Sequence, residues 1–341
     1  VRLPIFASHD KNFLKRALTY ISFSLGAFIY GIIFIKEADL IIAYHPPLTT
    51  GLIACMLRKI KKIPIIYEIQ DVWPDTFKAT RIIKSEIIMK LINILCDYVY
   101  KNVDHLTVIS KGFKKLLVSR GVNPQKISII YNCAPEINTN HLSPEIFHKK
   151  LKNKFVISYA GNIGKAQSLD SLLKAALILK NKKNTKIIFL IIGDGVELNS
   201  LKNLSKELKL NNVMFHQSVP LNKIGAFLKY SNALFIHLRD DPLFEITIPG
   251  KTQGYLSIGK PILMAVKGEA AELILKSNSG IIANPDDPLS IADSANQLSN
   301  LKKEQLLNFE KNALLFYKTN LSLDNAVKKY IRLFSEIKFN K

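Results

Sequence analysis

Short, continuous apolar runs recur along the chain, and longer stretches with apolar residues at three- and four-residue spacing separate them. Residues 39–44, 64–69, 105–109 and 127–131 in the first half predict four strands. Residues 155–160, 186–192, 212–215, 233–237, 261–266 and 280–283 in the second half predict six more. Their lack of polar alternation suits strands buried on both faces. Segments 49–59, 85–101 and 170–179 have helical period. Strand and helix in regular alternation predict an α/β fold with parallel sheets flanked by helices. At 341 residues the chain exceeds a comfortable single core, so two Rossmann-like, doubly wound domains are expected.

A polar stretch at 135–154, with Pro144, several Asn and a run of Lys, reads as the linker. The expected domains are 1–150 and 151–320. Residues 321–341 form an amphipathic tail helix, apolar at Leu323, Val327, Tyr330, Phe334 and Ile337, which is expected to pack back on the first domain. The first half opens Val1-Arg2-Leu3-Pro4 and shows no opening strand with a glycine-rich loop, so a truncated start is expected.

Three glycine-bearing segments follow strands of the second half. Gly161-Asn162-Ile163-Gly164-Lys165 lies between a buried strand and a helix, where backbone N–H groups and Lys165 can meet phosphate oxygens. Gly193-Asp194-Gly195 closes the next strand and leaves room for a base or ribose. Pro249-Gly250-Lys251-Thr252 suits a first helical turn whose free N–H groups, with Lys251 and Thr252, would hold a diphosphate. The plain alternatives are an ordinary βα turn, a simple turn and an ordinary helix start. In the first half, Asp71 lies in the run Glu68-Ile69-Gln70-Asp71-Val72-Trp73-Pro74-Asp75 after a buried strand, and His45 ends the strand before it. Carboxylates, an imidazole and the only tryptophan at strand ends make a candidate acceptor pocket, against a solvated loop with a packed Trp73 and a structural His45.

No P-loop and no Gly-x-Ser-x-Gly elbow is present. Asp240-Asp241 and Asp286-Asp287 adjoin Pro242 and Pro288 and read as turn residues, so no metal is expected. Cys55, Cys96 and Cys133 lie far apart and read as core thiols of a reduced, cytosolic protein. The net charge of +21 favours an anionic partner, either a phosphorylated substrate or an acidic membrane face. Nucleic acid is disfavoured because no recognition motif accompanies the charge. The uncharged segment 17–35 carries Thr19, Tyr20, Ser22, Ser24 and Tyr30, which suits a buried or interfacial helix better than a spanning one.

Together, Tyr159-Ala160-Gly161-Asn162-Ile163-Gly164-Lys165-Ala166-Gln167, Ile248-Pro249-x-Lys251-Thr252-Gln253 and Asp71-Val72-Trp73-Pro74 resemble the retaining family 4 glycosyltransferases. The nearest likeness is to the N-acetyl-L-fucosamine transferases of O-antigen and capsule synthesis. The resemblance implies a GT-B fold, two domains facing a cleft, and a hexosyltransferase-type activity without metal or cofactor. It implies a UDP-sugar donor whose diphosphate lies between the Gly161–Lys165 loop and the Pro249–Thr252 helix start, with uracil near residues 193–195. The implied acceptor is a polyprenyl-diphosphate-linked saccharide approaching the first domain. A cytoplasmic enzyme associated peripherally with the anionic inner membrane face follows. Lys165 and Lys251 are then expected to stabilise the leaving diphosphate, and Asp71 or His45 to position the acceptor. The sequence departs from many members at Gly254, where they carry a Glu that holds the donor ribose. Asn162 and Gln167 stand where many relatives place Arg and Lys. The alternatives are a UDP-sugar 2-epimerase and a non-catalytic GT-B protein of a polysaccharide-assembly complex.

Overall fold

The computed structural model describes residues 2–6, 13–80, 83, 85–134, 137 and 144–339. All ten predicted strands form: β1 (Ile41–His45), β2 (Ile65–Ile69), β3 (His105–Val108), β4 (Ile127–Ile129), β5 (Phe155–Ala160), β6 (Ile187–Ile192), β7 (Val213–His216), β8 (Ala233–His237), β9 (Ile262–Ala265) and β10 (Gly280–Ile282). They make two sheets, both α/β and both wholly parallel, as expected. The chain divides into two compact units, Val1–Tyr131 with Val327–Lys341, and Asn132–Ala326. Of the expected linker, residues 135, 136 and 138–143 lie outside the described residues, and a short helix, Glu145–Lys149, follows them.

In the first unit the sheet runs β1-β2-β3-β4, each strand added beside the last. Ile65, Ile66, Tyr67 and Ile69 of β2 are fully buried, which explains why that strand is apolar without alternation. Helices Leu48–Lys61, Glu86–Asn102 and Lys111–Ser119 connect the strands. Asp104 ties them together by accepting from the Arg58 guanidinium at 2.6 and 2.7 Å and from the Ile65 N–H at 2.8 Å. The segment read as an interfacial helix is helical over Phe13–Ile33. Gly31 of that helix lies so close to the next one that an added Cβ would stand 3.0 Å from Leu57 Cδ1. Among the described residues, no helix is long and apolar enough to cross a membrane. The tail helix, Leu323–Phe339, buries Leu333, and its Tyr330 hydroxyl lies 3.4 Å from Thr107 Oγ1 within the same unit.

In the second unit the order is β10-β9-β8-β5-β6-β7. β5 therefore has β6 on one side and β8 on the other, and the winding reverses between them. Odd-numbered residues such as Ile157, Phe189 and Phe235 pack with helices Asp170–Asn181 and Pro288–Ser299 in one cluster. Even-numbered neighbours, including Ser158, Leu190 and Ile236, are equally buried on the opposite face. A reversal of this kind leaves a crevice at the carboxyl ends of the central strands, where open parallel sheets bind ligands. The glycine-bearing segments leave their strands at those ends.

Candidate donor and acceptor sites

The loops after β5 and β6 are packed backbone to backbone. Gly161 N–H donates to Ile192 O at 2.9 Å, Ile163 N–H to Asp194 O at 2.8 Å, and Gly193 N–H to His216 O at 3.2 Å. A Cβ on Gly193, whose φ is +151°, would stand 2.0 Å from Gly161 O, and one on Gly195 would stand 2.3 Å from Ile163 O. Glycine is therefore required here by the approach of one loop to the other. Gly164 N–H is taken by the Gln167 side chain at 3.1 Å, and Gly195 N–H by the Asp194 carboxylate at 2.7 Å. Five amides of these two loops, three of them in the loop expected to cradle phosphate, are thus already bonded within the protein. The Asn162 side chain also turns inward along its loop, donating to Gln167 at 3.3 Å.

The free polarity comes from the helix that follows β8. Pro249, in extended conformation, is its N-cap, and the helix runs Gly250–Ile258. The first amides of a helix lack intrahelical acceptors and carry its positive dipole end. Thr252 does not join them as expected: its N–H donates to Pro249 O at 2.8 Å, and its fully buried hydroxyl has no partner among the described residues. The helix turn carries it away from the crevice and into the packing beneath.

Lys251 is the exceptional residue. Its Nζ lies 4.7 Å from the centre of the Tyr159 ring, and its Cε and Nζ lie against Gly161, where a Cβ would meet both at 2.9 Å. Burial lowers its pKa from 10.5 to about 8, and no carboxylate among the described residues pairs with it. The drop corresponds to on the order of 3 kcal/mol of lost preference for the charged form. Tyr159 and Tyr255 beside it are pushed well above the ordinary phenol range by burial, so both stay neutral. Lys251 lines a cavity of about 450 Å³ together with Gly161, Gly193, Ser218, Val219 and Gly254. Its other walls are aliphatic, from Ile137, Ile192, Leu221, Ile224 and Leu228. Lys165 is exposed in a short 3-10 turn and does not line this cavity.

A second set of residues fixes the loop that carries Lys165, and sequence reasoning missed it. The buried His237, at the end of β8, has Nδ1 at 2.7 Å from Gln167 O and accepts from Asp286 N–H at Nε2, 3.0 Å away. These bonds select the Nδ1-protonated neutral ring, and burial lowers its pKa. Asp286 accepts from Ser168 at 2.7 Å and from Asp240 N–H at 2.8 Å. Although burial raises its pKa, these donors hold the carboxyl below its usual range. Asp241 and Asp287 are helix N-caps, accepting from Leu243 N–H and from Leu289 and Ser290 N–H. Among the described residues, no three His, Cys, Asp or Glu side chains form a group able to hold a metal.

In the first unit, His45 is fully buried, edge-on to Trp73 with ring centres 4.9 Å apart, and its ring nitrogens make no well-formed hydrogen bond among the described residues. Burial lowers its pKa to about 4, offset in part by the backbone at Asp71, so it is neutral at pH 7. The expectation that His45 faces an open pocket is corrected: the strand turns its ring beneath Trp73. Asp71 is half-buried and accepts from the Thr76 hydroxyl, with burial raising its pKa. The pKa of Tyr44, half-exposed, is raised by partial burial and then by the charges of Glu68 and Asp71. Tyr44 pairs with Glu68 across the β1–β2 ladder, a register that periodicity alone does not reveal.

Residues 143–316 match the family of group 1 glycosyl transferases, and residues 4–135 match glycosyltransferase family 4. The chain belongs to the group 1 glycosyl transferases. The transferase is similar to a probable glycosyltransferase, WbjE, of Pseudomonas aeruginosa, with 23% identity over 309 residues, 88% of this chain and 76% of that protein. It is also similar to a putative colanic acid biosynthesis glycosyl transferase, WcaI, of Escherichia coli, at 23% identity over 268 residues, 76% of this chain and 65% of that protein. Among solved structures, HepE of Anabaena in complex with UDP and glucose superposes with a TM-score of 0.73 at 16% identity, covering 98% of this chain and 86% of HepE. The two parallel-sheet domains of the transferase are consistent with the GT-B fold.

The loop geometry makes a paired prediction. Gly193→Ala is expected to destabilise the transferase by about 2 kcal/mol or more, from positive φ and the clash with Gly161 O. Gly250→Ala, with nothing within 4 Å of the new Cβ, is expected to change stability by no more than about 1 kcal/mol. Urea unfolding of both variants checks this, and equal midpoints would refute the close packing of the two loops.

Proposed function

We propose that the transferase moves a sugar from a UDP-sugar to a polyprenyl-diphosphate-linked saccharide in O-antigen or capsule synthesis, with retention and without metal. The observation that carries this reading is Lys251: a desolvated cation without a carboxylate partner among the described residues, beside a helix N-terminus, in an apolar cavity at the sheet reversal. Such a site suits a ligand that joins a flat apolar ring to a diphosphate. The UDP complexes of HepE and the polysaccharide role in the name of WcaI support the choice of donor and setting. The motifs shared with the N-acetyl-L-fucosamine branch favour an N-acetylated deoxyhexosamine as the transferred sugar.

In the reaction, the bond from the anomeric carbon to the diphosphate breaks as the acceptor oxygen bonds to that carbon on the same face. The hydroxyl proton passes to the leaving diphosphate. Lys251 and the amides of Gly250 and Lys251 stabilise the negative charge that develops on the leaving oxygens. Lys165 is the second cation of this reading. Gly161, Asn162 and Gly164 form one wall, Gly193, Asp194 and Gly195 the base side, and Pro249 and Thr252 hold the helix start. In the first unit Asp71, aided by Tyr44, positions the acceptor hydroxyl, and His45 supports Trp73 from below.

An anionic membrane surface is the proposed setting for a lipid-linked acceptor. Helix Glu86–Asn102 exposes Ile87, Leu91, Ile94 and Tyr98 in one stripe and carries Lys90 and Lys101. Apolar side chains flanked by cations suit an anionic bilayer interface. Sedimentation with vesicles containing anionic lipid is expected to retain the wild type, and Leu91→Asp with Ile94→Asp to weaken retention about tenfold or more. Equal retention on neutral vesicles, or an unaffected double variant, would count against this face.

Transfer itself is tested by mass spectrometry with a panel of UDP-sugars and a polyprenyl-diphosphate-GlcNAc acceptor. A mass gain of one sugar on the lipid is expected. Product formed from donor alone would point to an epimerase. In the same series Lys251→Ala is expected to weaken UDP binding by about 1.5–3 kcal/mol, roughly 10- to 150-fold. Unchanged calorimetric affinity would remove Lys251 from the donor site.

A further inference from the structure

Residues 165–167 form one short 3-10 turn, and Lys165 on it is exposed. A turn of this length makes few bonds of its own; here Gln167 N–H reaches Gly164 O at 3.1 Å. Something outside the turn must fix its backbone if its cation is to stay in one place. The end of β8 does so. Three successive carbonyls, of Lys165, Ala166 and Gln167, accept from the Arg239 guanidinium at 3.3 Å, Arg239 N–H at 2.8 Å and His237 Nδ1 at 2.7 Å.

Asp286 stands behind this line. Its N–H donates to His237 Nε2 at 3.0 Å, which leaves Nδ1 as the protonated nitrogen and fixes the plane of the ring. Its carboxylate accepts from Ser168 at 2.7 Å, from Ser171 at 3.4 Å and from Asp240 N–H at 2.8 Å. The Ser168 and Asp286 backbones are both left-handed, with φ of +43° and +52°. Residues other than glycine persist in that region where surrounding bonds over-determine them, and such places cluster at functional sites. Here the two strained residues are bonded to each other.

His237, Ser168, Ser171 and Asp286 do not line the cavity beside Lys251, whereas Ala160 and Gly161, at the root of the same loop, do. At that root the N–H groups of Gly161 and Ile163 are tied to Ile192 O and Asp194 O. Lys165 therefore follows one fixed point and begins the turn held by another. Among the described residues its ammonium has no carboxylate partner.

We infer that His237 and Asp286 are positioning residues of the donor site: without touching the ligand, they hold the turn 165–167 so that Lys165 is presented to the diphosphate as its second cation. This rests on the donor-site proposal. The gain is preorganisation, since a side chain whose root is already fixed gives up less freedom when it binds. Without His237, Gln167 O and Asp286 N–H lose this partner together, and the charge of Lys165 is spread over many positions. Lys165 and His237 then act as one unit, and their losses do not add.

The test is a double-mutant cycle, read by calorimetric titration of the full chain with UDP, on wild type, Lys165→Ala, His237→Leu and the pair. Each single change is expected to weaken UDP binding about tenfold, and the pair to weaken it little more than either alone. A histidine that merely stabilises the fold does not give this pattern, because a folded variant then shows the Lys165→Ala loss in full. Ser168→Ala removes the 2.7 Å tie to Asp286 and leaves His237 in place. It is taken through the same cycle, is expected to couple to Lys165 in the same direction, and replaces His237→Leu if urea unfolding shows that variant to be unfolded. Additive losses, about a hundredfold in the pair, overturn the inference and leave Lys251 in the donor site. Unchanged affinity in Lys165→Ala overturns it as well. If the wild type binds no UDP, the donor-site proposal fails and this inference with it.

Discussion

An ammonium group removed from water without a counter-charge is costly, and a fold tolerates it where a ligand brings the missing charge. Lys251 is such a group, with its pKa drawn from 10.5 to about 8 by burial alone. Much of the second unit serves to hold it there. β5 delivers Tyr159 beneath its ammonium, the β5 and β6 loops close against each other through Gly161 and Gly193, and Tyr255 on Lys251's own helix is bonded to Ala160 at the end of β5. The tyrosines contribute ring surface without negative charge, since both are held neutral. Among the described residues, no carboxylate of the wall competes with an incoming diphosphate.

The architecture explains why the site stands where it does. A sheet whose order reverses at β5 leaves the ends of β5, β6 and β8 around one crevice, and the helix after β8 points its N-terminus at it. The loops that look like a phosphate cradle spend these amides on each other, on β7 and on their own side chains. Charge recognition is therefore concentrated in a lysine and one helix start, with the loops acting as a rigid frame clamped by His237 and Asp286.

Much of this was legible in the amino-acid sequence. Ten strands follow from apolar runs because parallel strands are buried on both faces, and their observed ends differ from expectation by only one or two residues. Lys251 was identifiable from its place after Pro249 at a helix start. What periodicity does not carry is direction within a turn. Thr252, one residue on, faces the interior, and His45 rotates beneath Trp73, because helix phase and loop path are set by tertiary packing. The His237–Asp286 clamp joins residues 49 apart in the chain and has no local signature. The glycines were legible as close approaches, but the partner of Gly193 proved to be Gly161 O rather than a ligand.

The central claim is that Lys251 supplies the charge for a diphosphate, and the most direct measurement is proton uptake on UDP binding at pH 8. Calorimetry in buffers of different ionisation enthalpy reads it. Free Lys251 is about half protonated at that pH. An adjacent diphosphate raises its pKa, so binding draws in a proton, and affinity is full below pH 8 and falls as the pH rises above it. The account predicts uptake of about half a proton per UDP, lost in Lys251→Met. Intact binding with no uptake, or the same uptake in Lys251→Met, would contradict it.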